Sequence, residues 1–161
     1  MCEEKKSESV NVPMQAFKVN ISPFTFHLYS EQYLVAARAI PISKEFSPVP
    51  YHLYGISAEL ALKSFLSAKG IKKEELKEKF RHNLDTLLSH AEKLDLQKYI
   101  SYTAKEREQI SLLNAYYKPR YFEYFKLSKA LKGFPGMPSI STLDQFLSRM
   151  LTSIKQLTLP K

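Results

Sequence analysis

Tyr51–Gly70, YHLYGISAELALKSFLSAKG, is the stretch on which the reading of the fold turns. Wound at about 100° per residue, it gathers Ala58, Ala61, Leu62, Phe65, Leu66 and Ala68 on one broad apolar side. Ile56 and Leu60 fall on the other side, with Ser57, Ser64 and Ser67. Glu59 and Lys63 lie between the two, with the acid N-terminal by one turn, the better orientation for an intrahelical ion pair. Small residues at Ser57, Ala58, Ala61, Ser64 and Ser67 let neighbouring helices approach closely. A helix with apolar groups on more than one side is packed by several partners. The stretch is therefore expected to be the central helix of an all-α protein.

The flanking sequence supports that class. Ser22 before Pro23 reads as a helix start, with proline at the first helical position. The helix that follows carries Tyr29, Tyr33, Ala36, Ala37 and Ile40 at helical spacing and stops before Pro41. PISKEFSPVP is a proline-punctuated loop, Pro48 and Pro50 suit the entry to the central helix, and Gly70 suits its C-terminal cap. KKEELKEKF, Lys72–Phe80, reads as a charged connector. Leu84, Leu87, Leu88, Ala91 and Leu94 then form a helical stripe. Thr103 with Glu106 makes a capping box, followed by Ile110, Leu113 and Tyr117 on one face. Pro119 must kink or restart that helix. Residues 120–131 are aromatic-rich and helical in tendency, and GFPGMPS is a loop. The last helix, starting near Ser141 and Asp144, is the most periodic: Leu143, Phe146, Leu147, Met150, Leu151, Ile154 and Leu157. Residues 1–22 read as a tail or arm. Residues 23–161 read as one bundle of five to six helices with short connections.

A chain of 161 residues suits one domain that buries roughly 70% of its unfolded surface. The net charge is +8, and eight basic against two acidic side chains from Lys118 onward hold +6 of it. That balance favours polyanionic partners. The single cysteine, Cys2, leaves no intramolecular disulfide. No run approaches the roughly 18 apolar residues that would span a bilayer. The polar start does not read as a secretory leader, and a reducing, cytoplasmic setting is expected.

Standard chemical motifs are missing: no glycine-rich phosphate loop, no paired-cysteine zinc signature, no HExxH. The four histidines are His27, His52, His82 and His90, and the last two are too far apart on one helix to share a metal. Neither a metal nor a cofactor is expected. Arg120 can bind phosphate as a bidentate fork or brace helix ends through carbonyls or Glu59. Tyr116, Tyr117, Tyr121 and Tyr124 can stack on bases or fill an aromatic core or dimer surface. His82 reads either as a site residue or as a packing residue at a helix start.

Three elements, in this order, resemble the HEPN superfamily, helical bundles linked to nucleotides and RNA. AELALKSFLSAKG resembles the family's early long helix. His82-Asn83-Leu84 resembles its H-(D/N)-L helix start. Tyr116-Tyr117 with Arg120-Tyr121 resembles the Tyr-Tyr…Arg-Tyr element of members that accompany small nucleotidyltransferases. The resemblance spans Tyr51–Tyr121 and implies a homodimer with two copies of Arg120 facing one groove. It also implies RNA, a nucleotide or a nucleotidyltransferase-like protein as partner, in a regulatory or toxin–antitoxin setting. Active HEPN ribonucleases carry arginine, four to six residues, then histidine. Here Phe125, Lys126 and Leu127 stand five to seven positions after Arg120, and no histidine follows. Arg107 is followed at the same distances by Leu112, Leu113 and Asn114.

The reading that follows is a HEPN-like binding module without ribonuclease catalysis. Its binding residues would be Arg120, Lys63, Tyr117, Tyr121, Lys118 and Asn83. The alternatives are a metal-independent ribonuclease with a rearranged site of Arg120, His82 and Glu59, and a structural scaffold with no nucleic-acid role. Ile56, Leu60 and the aromatic segment after Pro119 would supply the dimer interface, unless residues 13–40 cover that side of the central helix.

Overall fold

A computed structural model describes residues 21–41, 46–122 and 136–160. Every regular element among them is helical, so the chain is an all-α bundle. The elements are α1 (Pro23–Ala39), α2 (Val49–Ala68), α3 (Lys73–Glu75), which runs into a π-turn (Leu76–Phe80), α4 (Leu84–Lys93), a 3₁₀ turn (Leu96–Lys98), α5 (Ala104–Tyr117) and α6 (Ile140–Thr158). No described helix is long and apolar enough to cross a membrane.

α2 is the axis of the bundle and packs against α1, α4, α5 and α6. Phe65, Leu66, Ala61 and Leu62 are all but fully buried, and so are Ser57 and Ser64 on the opposite side. The serines explain how α1 comes so close. Ser30 donates to the Ser57 carbonyl at 2.7 Å, and Ser57 donates to the Ser30 carbonyl at 3.0 Å. Each buried hydroxyl thus satisfies itself on the other helix, and no bulky side chain holds the backbones apart.

Local signals set most of the helix ends. Ser22 caps α1 by accepting from the Thr25 amide at 3.1 Å, with Pro23 in the first turn. α2 closes with the Ile71 amide on the Leu66 carbonyl and the Gly70 amide on the Ser67 carbonyl, both 3.0 Å. Gly70 holds φ at +93°, which glycine adopts without strain, so this is a Schellman close. Thr103 and Glu106 form the full capping box of α5.

Three expectations shift. Of the expected α1 stripe, Tyr29, Tyr33 and Ala36 face outward and Ile40 is half-buried, whereas Ala37 is buried together with His27, Ser30 and Leu34. Close approach to α2 demands small residues at the crossing, and a tyrosine stripe cannot supply them. α6 begins at Ile140, capped by Ser139, whose hydroxyl accepts from the Thr142 amide at 3.2 Å. Asp144 is instead drawn to Arg38 on α1, at 2.7 Å. The aromatic segment is also less available for an interface than expected, because Tyr116, Tyr117 and Phe122 are buried within the chain. Phe122 stacks on Tyr116, with centroids 5.7 Å apart. The rest of the helix expected over 120–131, and most of the arm at 1–22, lie outside the described residues.

His27 is 1% exposed, and neither ring nitrogen makes a hydrogen bond among the described residues, although Glu31 lies 3.3 Å from Nε2. Burial holds the imidazole below its ordinary value of 6.5; Glu31 opposes this, and Lys155 adds to it. Above the ordinary value the ring is neutral whether the chain is folded or not. As pH falls from there toward the lowered folded value, the unfolded chain takes up the proton first, and stability drops. The denaturation midpoint of the wild type should therefore fall more between about pH 7 and about pH 5 than that of His27→Leu. Parallel losses in the two proteins would show that His27 does not contribute.

Candidate anion-binding cleft

One face of α2 presents His52, Ile56, Glu59 and Leu60 to a cleft of about 220 Å³, closed by His82, Tyr117 and Arg120. Glu59 organises it. Its side chain is 7% exposed, a position a lone carboxylate cannot hold without partners. Three donors converge on it. Lys63, one turn further along α2 and 11% exposed, pairs with Oε1. The Tyr117 hydroxyl donates to Oε2 at 2.7 Å, and His82 Nδ1 lies 2.9 Å from the same oxygen. An ionised carboxylate only accepts, so Nδ1–H is the donor in this bond, on a ring 63% exposed.

The approach to α4 aims His82. Arg81 has φ +45° and ψ −118°, and the Asn83 amide closes on the Phe80 carbonyl at 3.0 Å. That is a type II′ turn with arginine where glycine is preferred. Asn83 then caps α4 through the Thr86 amide at 3.3 Å. Asn114 of α5, itself buried, accepts from the Leu84 amide at 2.8 Å and donates to Asn83 at 3.2 Å and Asp85 at 2.7 Å. The turn is thus bolted to α5, the same helix that delivers Tyr117.

Tyr117 depends on a missing side chain. A Cβ on Gly55 would lie 2.4 Å from Tyr117 Cδ2, so only glycine lets the ring lie flat along α2. His52 packs on the same ring at 5.9 Å and His82 meets it edge-on at 6.3 Å. Pro119 follows the end of α5, and Arg120 takes φ +61°, its amide bonded to the Tyr117 carbonyl at 3.0 Å. Left-handed backbone at a non-glycine residue costs of order 1 kcal/mol, and such strain concentrates at binding sites.

Of the residues singled out from sequence, Glu59, His82, Tyr117 and Arg120 meet in this cleft, with Lys63 on Glu59. Asn83 is a cap and not a cleft-lining group, and neither Lys118 nor Tyr121 lines the cleft. Arg107 is engaged by Glu92 and Ser89. His52 was not anticipated, yet it stands seven residues before Glu59, two turns away on the same helix face. Among the described residues no group of three His, Cys, Asp or Glu could hold a metal ion. The cleft pairs one buried carboxylate with a lysine, an arginine, two imidazoles and a phenol. With neutral histidines it carries one net positive charge, which suits a small anion.

Comparisons with protein-family models, with curated proteins and with solved structures return no match to this chain.

Two substitutions test how the cleft is built. Glu59→Gln leaves Lys63 buried without its counter-charge and should cost about 3 kcal/mol in chemical denaturation. Gly55→Ala should cost about 1–3 kcal/mol by forcing Tyr117 off α2. Gly55→Ala should then cost less in a Tyr117→Ala background than in the wild type. Wild-type stability in both single variants would contradict this arrangement.

Proposed function

We propose that the chain is a HEPN-like dimeric module that holds a phosphate group of RNA or a nucleotide in the Glu59-centred cleft. The supporting observation is the convergence of His52, Glu59, His82, Tyr117 and Arg120, from three separate parts of the sequence, on one cleft. Arginine carries five N–H donors in a rigid fork, so it can serve a phosphate while bonded elsewhere. The surplus of basic residues from Lys118 onward supplies the longer-range attraction. Ile56 and Leu60, both half-buried at the cleft, are the apolar surface a second copy would cover. In the family it resembles, such modules work in toxin–antitoxin or defence systems beside a nucleotidyltransferase-like protein, and that is the setting proposed here.

A second reading has one specific observation behind it. Glu59 accepts from His82 Nδ1 and His52 lines the same cleft, so two imidazoles stand there for acid–base work although no histidine follows Arg120. That arrangement would suit metal-independent ribonuclease chemistry. The binding-module reading is preferred because the arginine–histidine spacing of the active enzymes is missing.

Anisotropy of a labelled single-stranded RNA, measured across a salt series, tests the proposal. Affinity should fall with salt, and Arg120→Ala should reduce the slope of log K against log salt by about 1. Salt-independent binding, or none, would refute it. RNA incubated with the protein in chelator should stay intact. Cleavage abolished by both Arg120→Ala and His82→Ala, with helical content retained, would install the ribonuclease instead. Light scattering should report a dimer that Leu60→Glu converts to monomer.

A further inference from the structure

A second and larger cavity, of about 720 Å³, lies where the end of α1, the start of α2 and the start of α6 meet. It is independent of the Glu59 cleft, and its chemistry is different. Its wall contains the open end of a row of flat rings. Phe46 stacks on Tyr51 at 5.9 Å and 23°, Tyr51 on Phe122 at 5.9 Å and 18°, and Phe122 on Tyr116 at 5.7 Å and 18°. Tyr116 ends the row inside the core, whereas Phe46, at the other end, is 54% exposed and lines the cavity. A large aromatic ring left in water at the mouth of an apolar cavity is a stacking platform.

The cavity also holds a fixed polar edge. Arg38 grips Asp144 with Nε on Oδ1 at 2.7 Å and Nη2 on Oδ2 at 3.0 Å, and the Tyr54 hydroxyl donates to Oδ1 at 3.0 Å. Arg38 holds the Asp144 carboxyl below its usual range, and burial together with Asp144 pushes the Tyr54 phenol up to about 12. The fork is locked and electrically balanced, so the cavity does not select for a charged ligand. Nη2 also donates to Ser148 Oγ at 2.5 Å, and Nη1 has two N–H donors outside the fork. The two side chains are 45% and 29% exposed. Gln145 lines the same cavity and offers an amide donor and acceptor.

We propose that this groove binds a flat, uncharged heteroaromatic ring of nucleobase size, stacked at Phe46 and hydrogen-bonded along one edge to Arg38 and Gln145. The volume lies in the range of small-molecule sites and admits a nucleoside. The spare N–H donors of Arg38 and the amide of Gln145, which both donates and accepts, suit the polar edge of a nucleobase and do not suit a hydrocarbon ring.

The test is amide-resolved NMR of the full chain titrated with adenosine, uridine and, as a ring-free control, ribose. None of these carries a phosphate, so the outcome is separate from that of the RNA measurements. Adenosine should shift the amides of Phe46, Tyr51, Arg38 and Gln145, with a dissociation constant of about 1 mM or tighter. Phe46→Ala should weaken binding about tenfold. Because Phe46 is largely exposed, that variant keeps the wild-type amide pattern elsewhere. Arg38→Lys keeps the charge and loses the fork, and should also weaken adenosine binding. The proposal is overturned by no shift with either nucleoside, by equal shifts with ribose, by shifts confined to His52 and His82, or by binding indifferent to Phe46→Ala.

Discussion

A carboxylate buried in a helical protein must be met by donors, and Glu59 is met by donors from three elements. Lys63 comes from α2 itself, His82 from the turn before α4, and Tyr117 from the end of α5. Each bond fixes where one wall of the cleft stands. Remove the carboxylate and Lys63 is left buried and unpaired, while Tyr117 and His82 lose the group that aims them. An apolar residue with apolar neighbours would pack here at no such cost, so the polar centre is a poor stability device. Its consequence is an ordered set of cationic and aromatic groups at the surface.

The scaffold around that centre carries costs of the same kind. Arg81 and Arg120 both hold positive φ, and Gly55 stands inside a helix, where glycine is unfavourable by roughly 1 kcal/mol. All three bear on the cleft. Arg81 turns the chain so that His82 reaches Glu59, Arg120 lines the cleft from a left-handed position, and Gly55 makes room for Tyr117. The first turn of α2 also separates the two cavities. Tyr51 lines one and His52, its neighbour in sequence, lines the other.

How much of this was legible in the sequence follows from how local each signal is. The Ser22 cap, the Thr103–Glu106 box and the Gly70 close each involve a few consecutive residues, and each formed. The stripes of α4 and α6 were legible because their apolar groups outnumber alternatives on any other face. α1 was read correctly at Ala37 and wrongly at its tyrosines, the most apolar-looking groups on it, because the packing rests also on Ser30, whose value exists only opposite Ser57. The ion pair of Glu59 with Lys63 was readable from spacing. That His82 and Tyr117 bond the same carboxylate depends on a turn with positive φ at Arg81 and on the missing Cβ of Gly55 within α2, and no residue pattern encodes that. His52 could have been found by continuing the Glu59 face two turns toward the N-terminus.

The central claim is that Glu59 fixes the proton and orientation of the His82 ring. Nitrogen NMR of the imidazoles, at a pH where they are neutral, reads this directly. The expected result is an Nδ1–H tautomer for His82 in the wild type, with its Nε2 responding to added phosphate, and a shift toward the Nε2–H tautomer in Glu59→Gln. A wild-type His82 already in the Nε2–H form, or one indifferent to Glu59→Gln, would contradict it.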